Sequence, residues 1–436
     1  MKKTYLSLAF LTLAVCLGAS AQELTREVPY EKHESSVVVE QNDGRWVVAK
    51  NHNGEASLVL VDSTGSTAKV IRLGHGVEVK DLIDSRHFCG SILEGSVRKG
   101  LLGYFNMSAF NTGKVSYMVI EGVESLEKMV RYDYMDCLHV SMIGRHGDGT
   151  SRVVDAVLPP PDFGFSPNTW KVWIGTINYF PCHLDDITAT DSKVVLSGRN
   201  VFTRSGFLFA FDIEGLLSAP FFFNKPGKTR MPDQSVARPI WLTGGLLDTF
   251  FAAYTTYYHF QVSKYGGDDV TRFSKKKFSL IGAFDINNVL VDVCTNQAGT
   301  GVHLLCTYRN SDYDPYGSYI WHIPASKLNP AFGSVGDILC NEYYDTQLFS
   351  ITRRRHQKNG IVASGERLNS PVLSLHRLKS GVWGNCTHYL DYPLDFDYFN
   401  NEVEPPKATI TGECTDKVFQ TRVCTVESHA VNNVCQ

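Results

Sequence analysis

Residues 79–107, VKDLIDSRHFCGSILEGSVRKGLLGYFNM, read as three short strands joined by turns. The first opens around Asp81, the second is an apolar run closing on Cys89-Gly90-Ser91, and the third ends Gly103-Tyr104-Phe105-Asn106-Met107. The same order recurs at Asp186-Ile187, Val194 to Gly198 and Phe209 to Ile213, while Gly282 to Ile286 repeats the third-strand ending alone. Apolar runs of strand length separated by Gly, Asn, Asp and Ser clusters are an all-β signal.

Working outward, equivalent strand cores stand at Trp46-Val47-Val48, Phe88-Cys89, Leu138-His139-Val140, Val194-Val195-Leu196, Phe250-Phe251-Ala252, Leu304-Leu305-Cys306, Ile361-Val362-Ala363 and Thr409-Ile410-Thr411. They recur at roughly 40 to 60 residues, the spacing of one four-stranded sheet with variable loops. Radial repetition of such sheets leaves only short, protected edges. The expectation is therefore a single β-propeller of four-stranded antiparallel blades spanning 22–402. The terminal units look incomplete and merge if strands from the two ends pair, so seven blades is the preferred count, eight the alternative, and an unclosed pair of β-domains the third. Several strands end on a glycine (Gly90, Gly144, Gly198, Gly365, Gly412), read as a turn needing a positive backbone angle.

The bulk numbers fit one large core: 436 residues, 43% hydrophobic and 20% charged, which excludes disorder as the main state. A formal net charge of -3 supplies no global electrostatic footprint for nucleic acid. Lys2 and Lys3, an apolar run from Tyr5 to Leu17, and Ala19-Ser20-Ala21 make residues 1–21 a secretory signal peptide, placing the mature chain in the periplasm or on the cell surface. The run is short for a membrane span, and no other stretch reads as a transmembrane segment. Lipid anchoring at Cys16 is the competing reading, which Val15 fits poorly. Of eleven cysteines, all but Cys16 lie in the mature chain, where disulfides are chemically permitted. Cys414 with Cys424, across a hairpin of the Cys-rich segment 403–436, and Cys294 with Cys306, on neighbouring strands, are the candidate pairs. Cys89 and Cys137 read instead as small core residues. That last segment is expected to supply closing strands.

With these residues in hand, the chain resembles the uncharacterised exported β-propeller proteins of the Bacteroidetes type. Their repeats often read Asp-apolar, then FCG, then G-x-x-GYF-[DN]-[IM], as at Asp81 to Met107 here. The resemblance implies a propeller fold and an envelope location, and it carries over no catalytic residue. Trp-Asp repeats, kelch patterns and a complete sialidase-type Asp-box do not occur; Pro315 stands where such a box needs glycine.

Four groups are candidates for chemistry. Asp81, Asp186 and Asp292, with Asp395 as a looser match, form a ring of carboxylates that either binds a cation or basic ligand or accepts backbone N–H groups of its own turns. Asn310, Asp312 and Asp314 alternate as calcium ligands do, but Pro315 replaces the expected glycine and the segment otherwise reads as a solvated loop. No cofactor is expected, and calcium is the one metal with any support. Arg353-Arg354-Arg355-His356 reads as an anion clamp or a solvated face. The aromatics of Trp241 to Phe260 suit sugar stacking or, more simply, the core. His75, His139, His146, His183 and His303 lack metal-ligand spacing.

The leading functional expectation is a non-catalytic binder of a protein, peptide or glycan partner at one ring face. The alternative is a polysaccharide hydrolase or lyase with carboxylates drawn from several inner strands. A structural module of an envelope assembly is the third class. Nothing in the sequence bears on oligomeric state.

Overall fold

The computed structural model describes residues 24–29 and 35–433, except 84–85, 135–136, 159–168, 179–180, 214–224, 231–238, 246–247, 256–258, 267–271, 280–288, 297–298, 300, 309–316, 325–338, 344–345, 354–359, 368–371, 380–387 and 390–407. The expected signal segment, Cys16, the Gly282 to Ile286 repeat, Asn310, Asp312, Asp314, Arg354, Arg355, His356 and Asp395 therefore lie outside the described residues.

The chain is all-β, a series of antiparallel meanders joined in chain order. Sheet I comprises Ser35–Glu40, Trp46–His52, Glu55–Val61 and Thr67–His75. Sheet II comprises Val77–Ile83, His87–Glu94, Val97–Tyr104 and Lys114–Ile120, with the one-turn helix Ala109–Thr112 before its last strand. Sheet III follows as Ser125–Tyr134, Cys137–Arg145, Ser151–Leu158 and Thr169–Ile177. Sheet IV is Cys182–Ala189, Lys193–Asn200, Gly206–Asp212 and Lys225–Arg230. Sheet V is Ile240–Gly244, Thr249–Thr255, His259–Gly266 and Arg272–Ser279. Sheet VI is Val289–Thr295, Gly301–Tyr308, Gly317–Pro324 and Leu339–Tyr343. Sheet VII is Thr346–Arg353, Gly360–Arg367 and Val372–Lys379, completed by the N-terminal strand Leu24–Pro29.

Second strands are buried almost without interruption, as in Trp46–His52, His87–Glu94 and Thr249–Thr255, whereas first strands such as Val77–Ile83 alternate. Continuous burial means that both faces of the sheet are covered. The covering layers are the neighbouring sheets. One hydrophobic cluster lies between each consecutive pair: Leu58 and Phe88 join I to II, Leu102 and Val140 join II to III, and Trp173 and Leu196 join III to IV. Leu208 and Phe250 join IV to V, Phe251 and Leu304 join V to VI, and Leu305 and Ile361 join VI to VII. A seventh cluster, with Val362 and Leu373 against Val48 and Val59, joins VII back to I. Buried polar side chains pin the same seams: Asn51 accepts from the Val79 N–H, Ser151 from Leu184, Ser318 from Leu348, and Ser364 bonds Ser36.

Seven of the eight strand cores found in the sequence are the second strands of these sheets. The eighth, Thr409-Ile410-Thr411, belongs to no separate sheet. It lies in Ala408–Val418, which pairs with Thr169–Ile177 and, through Ala408 to Ile410, with Lys225 to Gly227, fusing III and IV into nine strands. From there Gln420–Val423 adds to II, Thr425–Ala430 to I, and Asn432–Asn433 to Leu24–Pro29 of VII. The C-terminal segment thus runs backwards along five sheets as an added outer strand, covering edges that would otherwise stand open. Where it crosses from II to I, Cys424 donates to the Gly113 carbonyl, and a side chain at Gly113 would meet the Cys424 oxygen at 2.1 Å.

The recurrent glycines have a different cause from the one their sequence context implies. Gly90, Gly144, Gly198, Gly365 and Gly412 are strand-interior residues outside the positive-φ set. Their need is room: a Cβ on Gly90 would fall 1.8 Å from the Glu78 carbonyl oxygen, on Gly365 2.2 Å from that of Gln347, and on Gly412 2.1 Å from that of Ile174. Opposite Gly90, Gly144, Gly198 and Gly365 the facing strand carries a bulge, as glycine at such an approach often marks, whereas the strand facing Gly412 keeps its register.

Candidate functional site at the first strands

Those bulges build the site. In sheets II, III, IV, VI and VII the pairing of first and second strands shifts by one residue, at Val79/Asp81, Leu126/Lys128, Leu184/Asp186, Leu290/Asp292 and Leu348/Ser350. A bulge leaves N–H groups without ladder partners, and a buried N–H must find an acceptor. In II, IV and VI the acceptor is the aspartate itself. Asp81 accepts from its neighbour Leu82 at 2.9 Å and from Met129 of sheet III at 2.9 Å. Asp186 accepts from Ile187 at 2.9 Å and from Leu242 of sheet V at 2.7 Å. Asp292 accepts from Val293 at 2.9 Å and from Ile351 of sheet VII at 2.9 Å. Each carboxylate therefore closes its own bulge with one oxygen and staples the next sheet with the other.

The structure brings these three aspartates around a residue that sequence reasoning missed. Lys128 occupies the same bulge position in sheet III, half-buried, with its ammonium 5.0 Å from the centre of the Trp241 ring. Burial works to lower the Lys128 pKa, but Asp81, Asp292 and Asp186 together outweigh it and hold the amine above its ordinary value. Burial pushes the Asp186 carboxyl up to about 7 and raises Asp292, with Lys128 opposing in both. No carboxylate lies within ion-pair distance of the Lys128 nitrogen among the described residues, so the group acts through its field and the Trp241 face. The signal was present in the sequence as Leu126-Glu127-Lys128-Met129, the frame of Leu184-Asp185-Asp186-Ile187 with a lysine substituted.

This arrangement limits the chemistry. A lysine held cationic is neither base nor nucleophile at neutral pH. Glycosidic cleavage by paired carboxyl groups needs one acid and one base facing substrate. Here every carboxylate oxygen of the three aspartates already accepts a backbone N–H. A second constellation, Tyr132, His139, Ser141 and Asp155 in sheet III, is equally closed. Ser141 donates to Asp155 at 2.7 Å and His139 Nδ1 lies 3.3 Å from the other Asp155 oxygen. The carboxylate stands between hydroxyl and imidazole, the reverse of a nucleophile-activating order, and His139, Ser141 and Asp155 are buried.

Arg353 ends the first strand of sheet VII and is exposed. Phe250, Phe251 and Tyr254 are fully buried core residues and Trp241 is half-exposed under Lys128, while Tyr257, Tyr258 and the Phe260 side chain lie outside the described residues. The expected disulfides are absent. Cys294 and Cys306 do lie on neighbouring strands, but Cys294 faces His303 and packs toward VII, while Cys306 faces Leu290 and packs toward V. Cys414 packs at the III/IV seam and Cys424 at the I/II seam, on different sheets rather than across one hairpin. None of the four is in a disulfide. Among the described residues, no group of three or more His, Cys, Asp or Glu side chains is placed to hold a metal ion, and no helix is long and apolar enough to cross a membrane.

Fold and site together define an all-β protein of repeated four-stranded sheets whose bulged first strands gather three carboxylates around one lysine. No protein-family model matches the chain, and no curated protein matches it.

Proposed function

We propose that the chain is an exported seven-bladed β-propeller that binds a protein, peptide or glycan partner at one face and catalyses no reaction. Support for the ring comes from seven hydrophobic seams that return from sheet VII to sheet I. An N-terminal strand that completes the last sheet adds to it. Support for export comes from the leader-like residues 1–21. The observation that carries the non-catalytic reading is the commitment of Asp81, Asp186 and Asp292 to six backbone N–H groups around a cationic lysine. The test applies the purified chain from Gln22 to a glycan array and to an envelope extract, then analyses the glycans. Retention of intact glycan or of one defined protein is the expected result; shortened or newly unsaturated glycans would overturn it.

A further inference from the structure

Among the described residues, five of the seven exposed large hydrophobics stand at one end of the sheets, where first strands begin and second strands finish. These are Leu93, Val97, Val201, Phe202 and Val289, and Val418 and Val423 are on the C-terminal strands. Phe202 is the most exposed of these seven, at 78%. It stands on a fixed turn. The Asn200 side-chain oxygen accepts from the N–H groups of Phe202 and Thr203 at 2.8 and 3.0 Å. Val201 donates to the Pro181 carbonyl at 3.0 Å, and Arg204 holds a left-handed backbone with φ 58°. An aromatic side chain already held in place loses little freedom on binding.

Beside the turn runs a cationic row. His183 lies between Arg145 of sheet III and Arg199, its register partner in sheet IV. Arg199 is engaged by Asp185 at 2.7 Å. Arg145 directs both terminal nitrogens at the two ring nitrogens of His183. Burial, then the charges of Arg145 and Arg199, push the His183 pKa down to about 4, so the ring is neutral at physiological pH. A neutral imidazole offers one acceptor nitrogen, and one Arg145 N–H therefore faces another N–H. Neither Arg145 nor Arg204 has a carboxylate ion-pair partner among the described residues. Arg145, which also donates to the Ser151 hydroxyl at 3.2 Å and the Leu184 carbonyl at 3.4 Å, feels the carboxylates of Glu127 and Asp185, while Arg204 stands exposed on the Phe202 turn itself.

We propose that this patch docks an acidic segment of a protein partner, with Val201 and Phe202 receiving an apolar side chain and Arg145 and Arg204 a carboxylate beside it. The inference rests on the binding reading above and assigns that reading a face and a partner chemistry. Charge complementarity selects the acidic partner. The projecting phenyl ring favours polypeptide over sugar acid, because aromatic anchors at protein interfaces fill apolar pockets.

The test uses the full chain from Gln22 and fluorescent short peptides alternating Asp with Leu, Lys with Leu, and Ser with Leu, with oligogalacturonate as an anionic glycan. Expected is saturable binding of the Asp/Leu peptide, weakened by salt. A loss of about tenfold or more is expected in each of Phe202→Ser, Arg145→Gln and Arg204→Gln. Phe202→Ser is the decisive variant because its side chain supports no core packing. Absence of Asp/Leu binding, equal binding of the Lys/Leu or Ser/Leu peptide, undiminished binding by Phe202→Ser, or binding of oligogalacturonate alone would overturn the proposal. Those failures leave the glycan array result standing, whereas glycan breakdown would overturn the binding reading itself.

Discussion

Replacing Lys128 with methionine keeps the stem over Trp241 and deletes the one positive charge that Asp81, Asp186 and Asp292 share. Removing one side of a buried charge group costs about 3–5 kcal/mol, and the lower end applies because Lys128 is half-buried and beyond ion-pair distance. Unfolding entropy of roughly 2.1 cal/mol/K per residue over 436 residues converts about 3 kcal/mol into a melting-point drop of about 3 °C. The drop depends on pH. A carboxyl group whose folded pKa lies above its unfolded value costs stability once pH passes the unfolded value, and the cost is complete only above the folded one. For Asp186 that window runs from 3.8 to about 7 with Lys128 present, and loss of the ammonium extends it upward. At pH 5, Asp186 is protonated in the folded state with or without Lys128, so its share of the penalty vanishes. Differential scanning fluorimetry should therefore show the full drop near pH 8 and a smaller one near pH 5. Equal drops at both pH values, or no drop, would refute a charge-compensating role for Lys128.

Gly90→Ala should destabilise by on the order of 3 kcal/mol or prevent folding, because its Cβ would enter the Glu78 carbonyl, whereas Gly54→Ala, with φ +74° and open space, should cost about 1–2 kcal/mol. Chemical denaturation of the pair separates close approach from backbone angle as the reason for the recurrent glycines. Denaturation without reductant followed by alkylation should label Cys294, Cys306, Cys414 and Cys424, and peptide mapping that recovered a Cys414–Cys424 or Cys294–Cys306 crosslink would contradict the seam assignments. Deleting residues 408–436 should uncover the outer strands of sheets I, II and III and cause concentration-dependent self-association, read by light scattering. A truncated chain that stayed monodisperse would show those edges to be protected by other means.

The repeat was legible because a strand covered on both faces must be apolar throughout, and the runs at Trp46, Phe88, Val194 and Phe250 could arise in few other ways. The C-terminal wrap was not. Its strands lie on the outside, with one face in solvent, so Val418 and Val423 carry no burial signature, and Thr409 to Thr411 imitated another repeat. The aspartates Asp81, Asp186 and Asp292 stood out because they repeat in one frame. Their lysine partner escaped notice because a search for like residues passes over the position where the charge is reversed. Cysteine pairing failed for a geometric reason: neighbouring strands place residues together only in register, and Cys294 and Cys306 are offset and point to opposite faces of sheet VI.

The most direct measurement incubates the chain from Gln22, and separately Asp186→Asn, with neutral and anionic polysaccharides between about pH 5 and 8, the range that brackets the Asp186 titration. Reducing ends and unsaturated products are then counted. If the three carboxylates are inter-sheet staples around Lys128, neither protein yields product at any pH. Products from the unmodified chain that disappear with Asp186→Asn would contradict this and make the lysine-centred cluster a reacting site.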